Sequence, residues 1–164
     1  FDALGVPWAR RGARNDEYIA AMRAVWAASH AEFHGEFVDF DPLTCSPKPV
    51  NGDIPVLVGG DTPAAIARAV KLADGYFPGE GDIDRLRALI GRVHGACETA
   101  GRDPASLEIN AMFGTQMSDP KAGIEEMRDA GVGRIMIPAF FFAGPGGLDR
   151  MAALAEQIMP LAAE

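Results

Sequence analysis

The chain has 164 residues, enough for one domain with a real core, and its 48% hydrophobic and 23% charged content is ordinary for a globular protein. A formal charge of -8 excludes a nucleic-acid groove, which needs a basic stripe; Arg10, Arg11 and Arg14 sit beside Asp16 and Glu17 and read as a solvated helix entry. The longest apolar stretch, Ile135 to Gly147, is interrupted by Pro and Gly and falls well short of the ~20 residues a membrane helix needs, so no membrane span is expected.

Cys45 and Cys97 lie far apart with no CxxC spacing. His30 and His34 are four residues apart and would share a helix face, but Gly35 follows and no acidic third ligand accompanies them. A reduced, cytoplasmic protein without a metal site is the expectation. The start at Phe1, with no Met and no signal-peptide core, suggests an engineered or processed product or a piece of a longer protein.

In chain order, Asn15 or Asp16 is positioned to cap a first helix, whose apolar residues Ile19, Met22, Val25 and Trp26 repeat at helical spacing up to about Ser29. Residues 30–53 carry aromatic and turn signals, with Gly35, Pro42, Pro47, Pro49 and Gly52, and read as an irregular insertion loop of the kind that is often functional. Ile54 to Val58 is a short apolar run ending in Gly59 and Gly60, a buried strand. Asp61 or Thr62 then caps a helix with Pro63 at its first position, burying Ile66, Ala69, Val70 and Ala73.

The alternation continues. Gly75 to Phe77 forms a second strand, and Asp82 opens a helix burying Leu86, Leu89, Ile90 and Val93. Leu107, Ile109, Ala111 and Phe113 mark a third strand, and Asp119–Pro120 opens a helix with Ile124, Met127 and Ala130 that Gly131 closes. Val132 to Pro138 holds a fourth strand, followed by a helix marked by Leu148, Leu154 and Ile158.

Strands and helices in alternation define an α/β fold with a parallel sheet, either an open doubly wound sheet or part of a closed barrel. A complete TIM (β/α)8 barrel needs eight such units and about 250 residues. Residues 54–164 supply four strand-helix units, half of one. With the helix in 1–29 and the insertion in 30–53, they are expected to form a single domain, 1–164.

The sharpest chemical signal is the segment from Ile54 to Pro78. Two glycines at a strand's C-terminal end let a ligand approach the backbone, and the following helix points its free N–H groups and positive dipole end at the same place. Such a site suits a phosphate, with Thr62 as a further donor and Asp61 an opposing charge unless it turns outward. A tight turn before a capped helix explains the same residues. No Lys-Ser/Thr pair follows the glycines, which excludes a Walker loop, and no GxGxxG fingerprint is present. Glu80, Asp82 and Asp84 could serve as bases at a barrel mouth but look like loop and cap acids. Phe140, Phe141 and Phe142, with Gly144, Gly146 and Gly147, could cover a ring system or a partner.

Several segments in order, LGVPWARRGARNDEYIAAMRAVW, FHGEFVDFD, SPKPVNGDIPVLVGGDTPAAIARAVKLADGYFP, AGRDPASLEINAMF and DAGVGRIMIP, resemble the luciferase-like monooxygenase family, including its deazaflavin-dependent branch. The resemblance covers about the whole chain and implies the C-terminal half of a TIM-barrel flavin or deazaflavin oxidoreductase. It places cofactor phosphate on Val58, Gly59, Gly60, Asp61 and Thr62, and the residues around the cofactor ring, with the catalytic ones, before residue 1. It implies either the deazaflavin coenzyme or FMN; an Ala-, Arg-, Asp- and Gly-rich composition, typical of GC-rich genomes, tilts the choice to the deazaflavin.

The substrate is expected to be an unidentified small organic molecule. Exposed strand edges make a homo-oligomer or a companion N-terminal half the expected partner, with neither nucleic acid nor membrane involved. The competing readings are a non-catalytic half-barrel that binds cofactor or self-associates, and a phosphate-binding barrel such as a sugar-phosphate isomerase.

Overall fold

The computed structural model describes residues 1–162. The chain divides into two compact units, Phe1–Val56 and Leu57–Glu164.

In the first unit, helix α1 (Arg11–Ala27) begins earlier than Asn15 or Asp16, which lie inside it. No side chain caps it. Arg10 precedes it in the left-handed region at φ 57, unusual for a residue with a Cβ. What places the start is tertiary: the Arg10 guanidinium pairs with Glu36, and Arg10 and Arg14 lie 4.8 and 4.7 Å from the Phe37 ring centre. Arg11 lies 4.2 Å from the Trp8 ring. The arginine cluster braces the helix start while Arg10 and Arg11 stay exposed, as a solvated entry requires. The helix buries Ile19 and Ala21, while Met22 stays 41% exposed beside Tyr18, Val25 and Trp26.

The expected irregular loop contains a hairpin. Strands β1 (Ala31–His34) and β2 (Asp39–Leu43) pair antiparallel, with Phe33 opposite Phe40 and His34 opposite Asp39. Gly35 and Pro42 hid the two-residue alternation, yet Pro is tolerated in an edge strand. The Glu17 carboxylate accepts from the N–H groups of Phe37 and Val38 at 2.6 and 2.7 Å, tying the hairpin turn to α1. His30 and His34 thus lie before and within a strand, not on a helix face.

The second unit holds strands β3 (Leu57–Val58), β4 (Gly75–Tyr76), β5 (Glu108–Met112) and β6 (Arg134–Met136), all parallel and in sequential order. An unbroken order is that of a barrel arc; a doubly wound sheet reverses direction at a switch point. Helices α2 (Pro63–Leu72), α3 (Ile83–Thr99), α4 (Pro120–Asp129) and α5 (Gly147–Ala162) follow the four strands in turn. Val58, Tyr76 and Ile109 stand in one register row and are buried, as are Leu107, Ala111 and Phe113 along β5. The core adds Ile66, Ala69 and Val70 of α2, Leu86, Ile90 and Val93 of α3, and Ile124 and Met127 of α4.

Two strand boundaries are corrected, and the final helix marked by Leu148, Leu154 and Ile158 is present as α5. The first strand starts at Leu57 rather than Ile54, because Pro55 has no N–H to give the ladder, and Ile54 is 46% exposed. The fourth strand is trimmed to Arg134–Met136. Leu148 is 79% exposed while Leu154 is buried, since six residues place it about 120° around the helix from Leu154.

His34 Nδ1 lies 2.7 Å from Asp39 Oδ1, and this hydrogen bond raises the imidazole pKa above its ordinary 6.5. A raised folded value stabilises the hairpin fully below pH 6.5, and that contribution is lost as pH rises through the shifted value. An NMR titration of His34 should therefore give a midpoint above 6.5, moving back toward it in Asp39→Asn.

Candidate functional site

The C-terminal ends of the four strands carry the loops where parallel α/β sheets place their ligands. The first of these, Val58 to Thr62, is the segment singled out in the sequence. Val58 is buried and its carbonyl accepts from Phe77 N–H at 3.0 Å, so β3 and β4 stay paired up to their ends. A Cβ on residue 59 would stand 2.6 Å from the Phe77 carbonyl oxygen, which admits only glycine. Gly60 has φ 104, a conformation L side chains avoid, and a Cβ there would lie 3.0 Å from Ala65 Cβ.

Thr62, not Asp61, is the cap of α2: its Oγ1 accepts from Ala65 N–H at 3.2 Å, and its carbonyl from Ile66 N–H at 3.0 Å. Pro63 has no N–H. Among the described residues none accepts from the N–H groups of Gly60, Asp61 or Ala64, so donors remain at the positive end of the helix dipole. The Thr62 hydroxyl proton is still free to donate while its oxygen caps. Asp61 is exposed.

Two side chains outside the segment grip it. The Tyr76 hydroxyl donates to the Gly60 carbonyl at 2.7 Å, and Arg92 Nη2 donates to the Asp61 carbonyl at 2.9 Å. Tyr76 is fully buried, and burial pushes its hydroxyl pKa above 10, with Arg92 opposing and Asp61 reinforcing; it stays a donor at neutral pH. In the sequence Tyr76 is marked only as a strand residue, and nothing marks Arg92. A lone tyrosine hydroxyl inside an apolar run, and an arginine exposed on a helix, were the only available signals.

The neighbouring loops are also built from glycine. Gly81 and Gly114, after β4 and β5, approach so closely that a Cβ on Gly114 would stand 3.2 Å from Gly81 Cα. Glu80, Asp82 and Asp84 do not converge on a reacting centre. Glu80 Oε1 accepts from Gly81 and Asp82 N–H at 2.8 and 2.9 Å, Asp82 caps α3 through Arg85 N–H, and Asp84 lies in the first turn of that helix. Phe140 and Phe141 pair with ring centres 4.6 Å apart, and Phe140 is exposed.

On the sheet face opposite the Val58–Tyr76–Ile109 row, Glu108 pairs with Arg134 at 3.2 Å, and Asn110 is completely buried with its Oδ1 unpartnered among the described residues. Nothing in the sequence marked Asn110. Cys45 is exposed and Cys97 buried, both free. Among the described residues no helix is long and apolar enough to cross a membrane.

Four parallel strands in sequential order, each followed by a helix, are the architecture of part of a TIM barrel. The luciferase-like monooxygenase family model matches residues 1–162, and the chain belongs to that family. It is 37% identical over 138 residues to an uncharacterized protein of Mycobacterium tuberculosis (strain ATCC 25618 / H37Rv), a match covering 84% of this chain and 46% of that protein. It is 30% identical to the FMNH2-dependent dimethylsulfone monooxygenase of Pseudomonas putida, over 68% of this chain and 31% of that one. The chain thus spans less than half the length of these relatives.

Among solved structures, the coenzyme F420-dependent tetrahydromethanopterin reductase of Methanopyrus kandleri superposes with a TM-score of 0.63 at 14% identity, over 84% of this chain and 64% of the other. That likeness shows the fold, a partial TIM barrel.

Gly59→Ala should part the ends of β3 and β4 and destabilise the chain by about 1–3 kcal/mol, as overpacking against immovable backbone does. A urea denaturation series should show a lower midpoint with an unchanged slope.

Proposed function

We propose that the chain carries the cofactor-phosphate site of a luciferase-like oxidoreductase that uses a reduced flavin or deazaflavin on a small organic substrate. The observation that carries the reading is the turn itself. Val58, Gly59, Gly60, Asp61 and Thr62 leave backbone donors bare at a helix N-terminus, in a turn whose two glycines carry no side chain to cover them. A phosphate fits those donors by charge and by size. Packing alone accounts for both glycines; what favours a ligand is that the donors beside them remain unused.

When bound, the cofactor would supply the redox chemistry, and these residues would hold its phosphate end. The residues around its ring are assigned, in this reading, to the part of the fold outside the chain. Support comes from the four strands present out of a barrel's eight, and from the chain's share of its relatives' length. FMN and the deazaflavin coenzyme both present a phosphate, and the relatives' names include users of each.

Fluorescence titration of the purified chain with FMN and with the deazaflavin coenzyme tests the site. Saturable binding competed by inorganic phosphate is expected, and the tighter ligand names the branch. Gly60→Asp, which adds both a Cβ and a charge to the cradle, should weaken binding about tenfold or more, a loss of roughly 1.4 kcal/mol. Unchanged affinity in that variant would remove the phosphate assignment.

The reading also includes association, with a second copy or with a companion N-terminal half. β3 and β6 are the outer strands of the sheet, and Leu148, Met151 and Met159 are exposed on α5. Sedimentation at micromolar concentration should then show a species heavier than the 17.4 kDa chain. A well-behaved monomer counts against self-association.

A further inference from the structure

Two successive carbonyls of the glycine turn are bonded by side chains from outside it, Tyr76 and Arg92. In a trans peptide the carbonyl of one residue and the N–H of the next point in opposite directions across one rigid plane. Tyr76 draws the Gly60 carbonyl toward its hydroxyl at 2.7 Å, so the Asp61 N–H is turned to the opposite side. Arg92 draws the Asp61 carbonyl toward its guanidinium at 2.9 Å, so the Thr62 N–H is likewise turned away from Arg92. Two successive peptide planes are thus set by two side chains, one from β4 and one from α3, neither of them adjacent to the turn in sequence.

We infer that Tyr76 and Arg92 are positioning residues for the cofactor phosphate: they fix the Gly60–Asp61 and Asp61–Thr62 peptides so that their N–H groups present a preformed anion cradle. This rests on the phosphate reading above and adds to it the device that holds the donors in place. The need for such a device is physical. Gly60 at φ 104 belongs to the residue type with the widest conformational freedom, and an unrestrained glycine turn would lose part of its binding energy to ordering.

Tyr76 suits the task because it is fully buried in the register row of Val58 and Ile109, so its ring has no freedom of its own. Arg92 brings, besides its hydrogen bond, a positive charge to the turn that carries the exposed Asp61.

The test compares FMN with riboflavin, which differ only in the phosphate, and the deazaflavin coenzyme with its ribityl form, which lacks the phosphate together with the tail attached to it. These are titrated into the full chain and into Tyr76→Phe, Arg92→Met and Arg92→Lys, with circular dichroism confirming that each variant is folded. Tyr76→Phe keeps the ring and removes the hydroxyl. It should weaken the phosphorylated ligand about three- to tenfold, the span of one lost hydrogen bond, and leave the phosphate-free ligand unchanged. Arg92→Met should act in the same selective way, and Arg92→Lys should recover much of the loss.

If the unaltered chain shows no preference for the phosphorylated ligand, or binds none of the four, the phosphate site itself is overturned. If the unaltered chain has that preference and both Tyr76→Phe and Arg92→Met retain it in full, the positioning role alone falls. Equal weakening of both members of a pair would mean that the two side chains support only the general fold, and would overturn the inference as well.

Discussion

The end of the β3–β4 pair governs the second unit. Phe77 N–H closes on the Val58 carbonyl at 3.0 Å, and in doing so brings the Phe77 carbonyl to a point where residue 59 can have no side chain. Everything at that edge follows from this one approach. The chain must leave β3 through a bare residue, turn at Gly60 with a positive φ, and enter α2 at Thr62, whose hydroxyl oxygen caps the helix. Because both strands are only two residues long, there is little ladder to fix the geometry, and the turn's contacts with Tyr76 and Arg92 do part of that work. A turn of bare backbone is therefore a product of how β3 and β4 pair.

How much of this was legible depended on range. The caps at Thr62, Asp82 and Asp119 were readable because a capping side chain acts on an N–H within three residues. The buried faces of α2 and α3, and the alternation of Leu107, Ile109, Ala111 and Phe113, were readable because burial repeats with the element's own period. The start of α1 was not, since a salt bridge to Glu36 and the Phe37 ring, more than twenty residues away, decides it. The hairpin escaped for a related reason: a Glu17 carboxylate holds its turn, and Gly35 and Pro42 mask its short strands. At the candidate site the glycines were visible locally, whereas Tyr76 and Arg92 meet the turn only through the fold.

The two faces of the sheet carry different chemistry. The row of Val58, Tyr76 and Ile109 belongs to a dry core, whereas the other face holds the Glu108–Arg134 pair and a buried Asn110 whose amide donates only a long 3.3 Å bond to the Glu108 carbonyl. That face is also tightly approached: a Cβ on Gly75 would meet Leu57, the Glu108 carbonyl and the Asn110 amide at 2.5 to 3.1 Å.

The register of β3 against β4 has a consequence for quality control. Side chains alternate across a strand, so a slip of one residue would throw Tyr76 to the other face and detach its hydroxyl from the Gly60 carbonyl. A mis-threaded chain would then lose the oriented turn along with the core. An anion seated on that turn would stabilise only the correctly threaded sheet, by mass action, and would serve during folding as a proofreader of strand alignment.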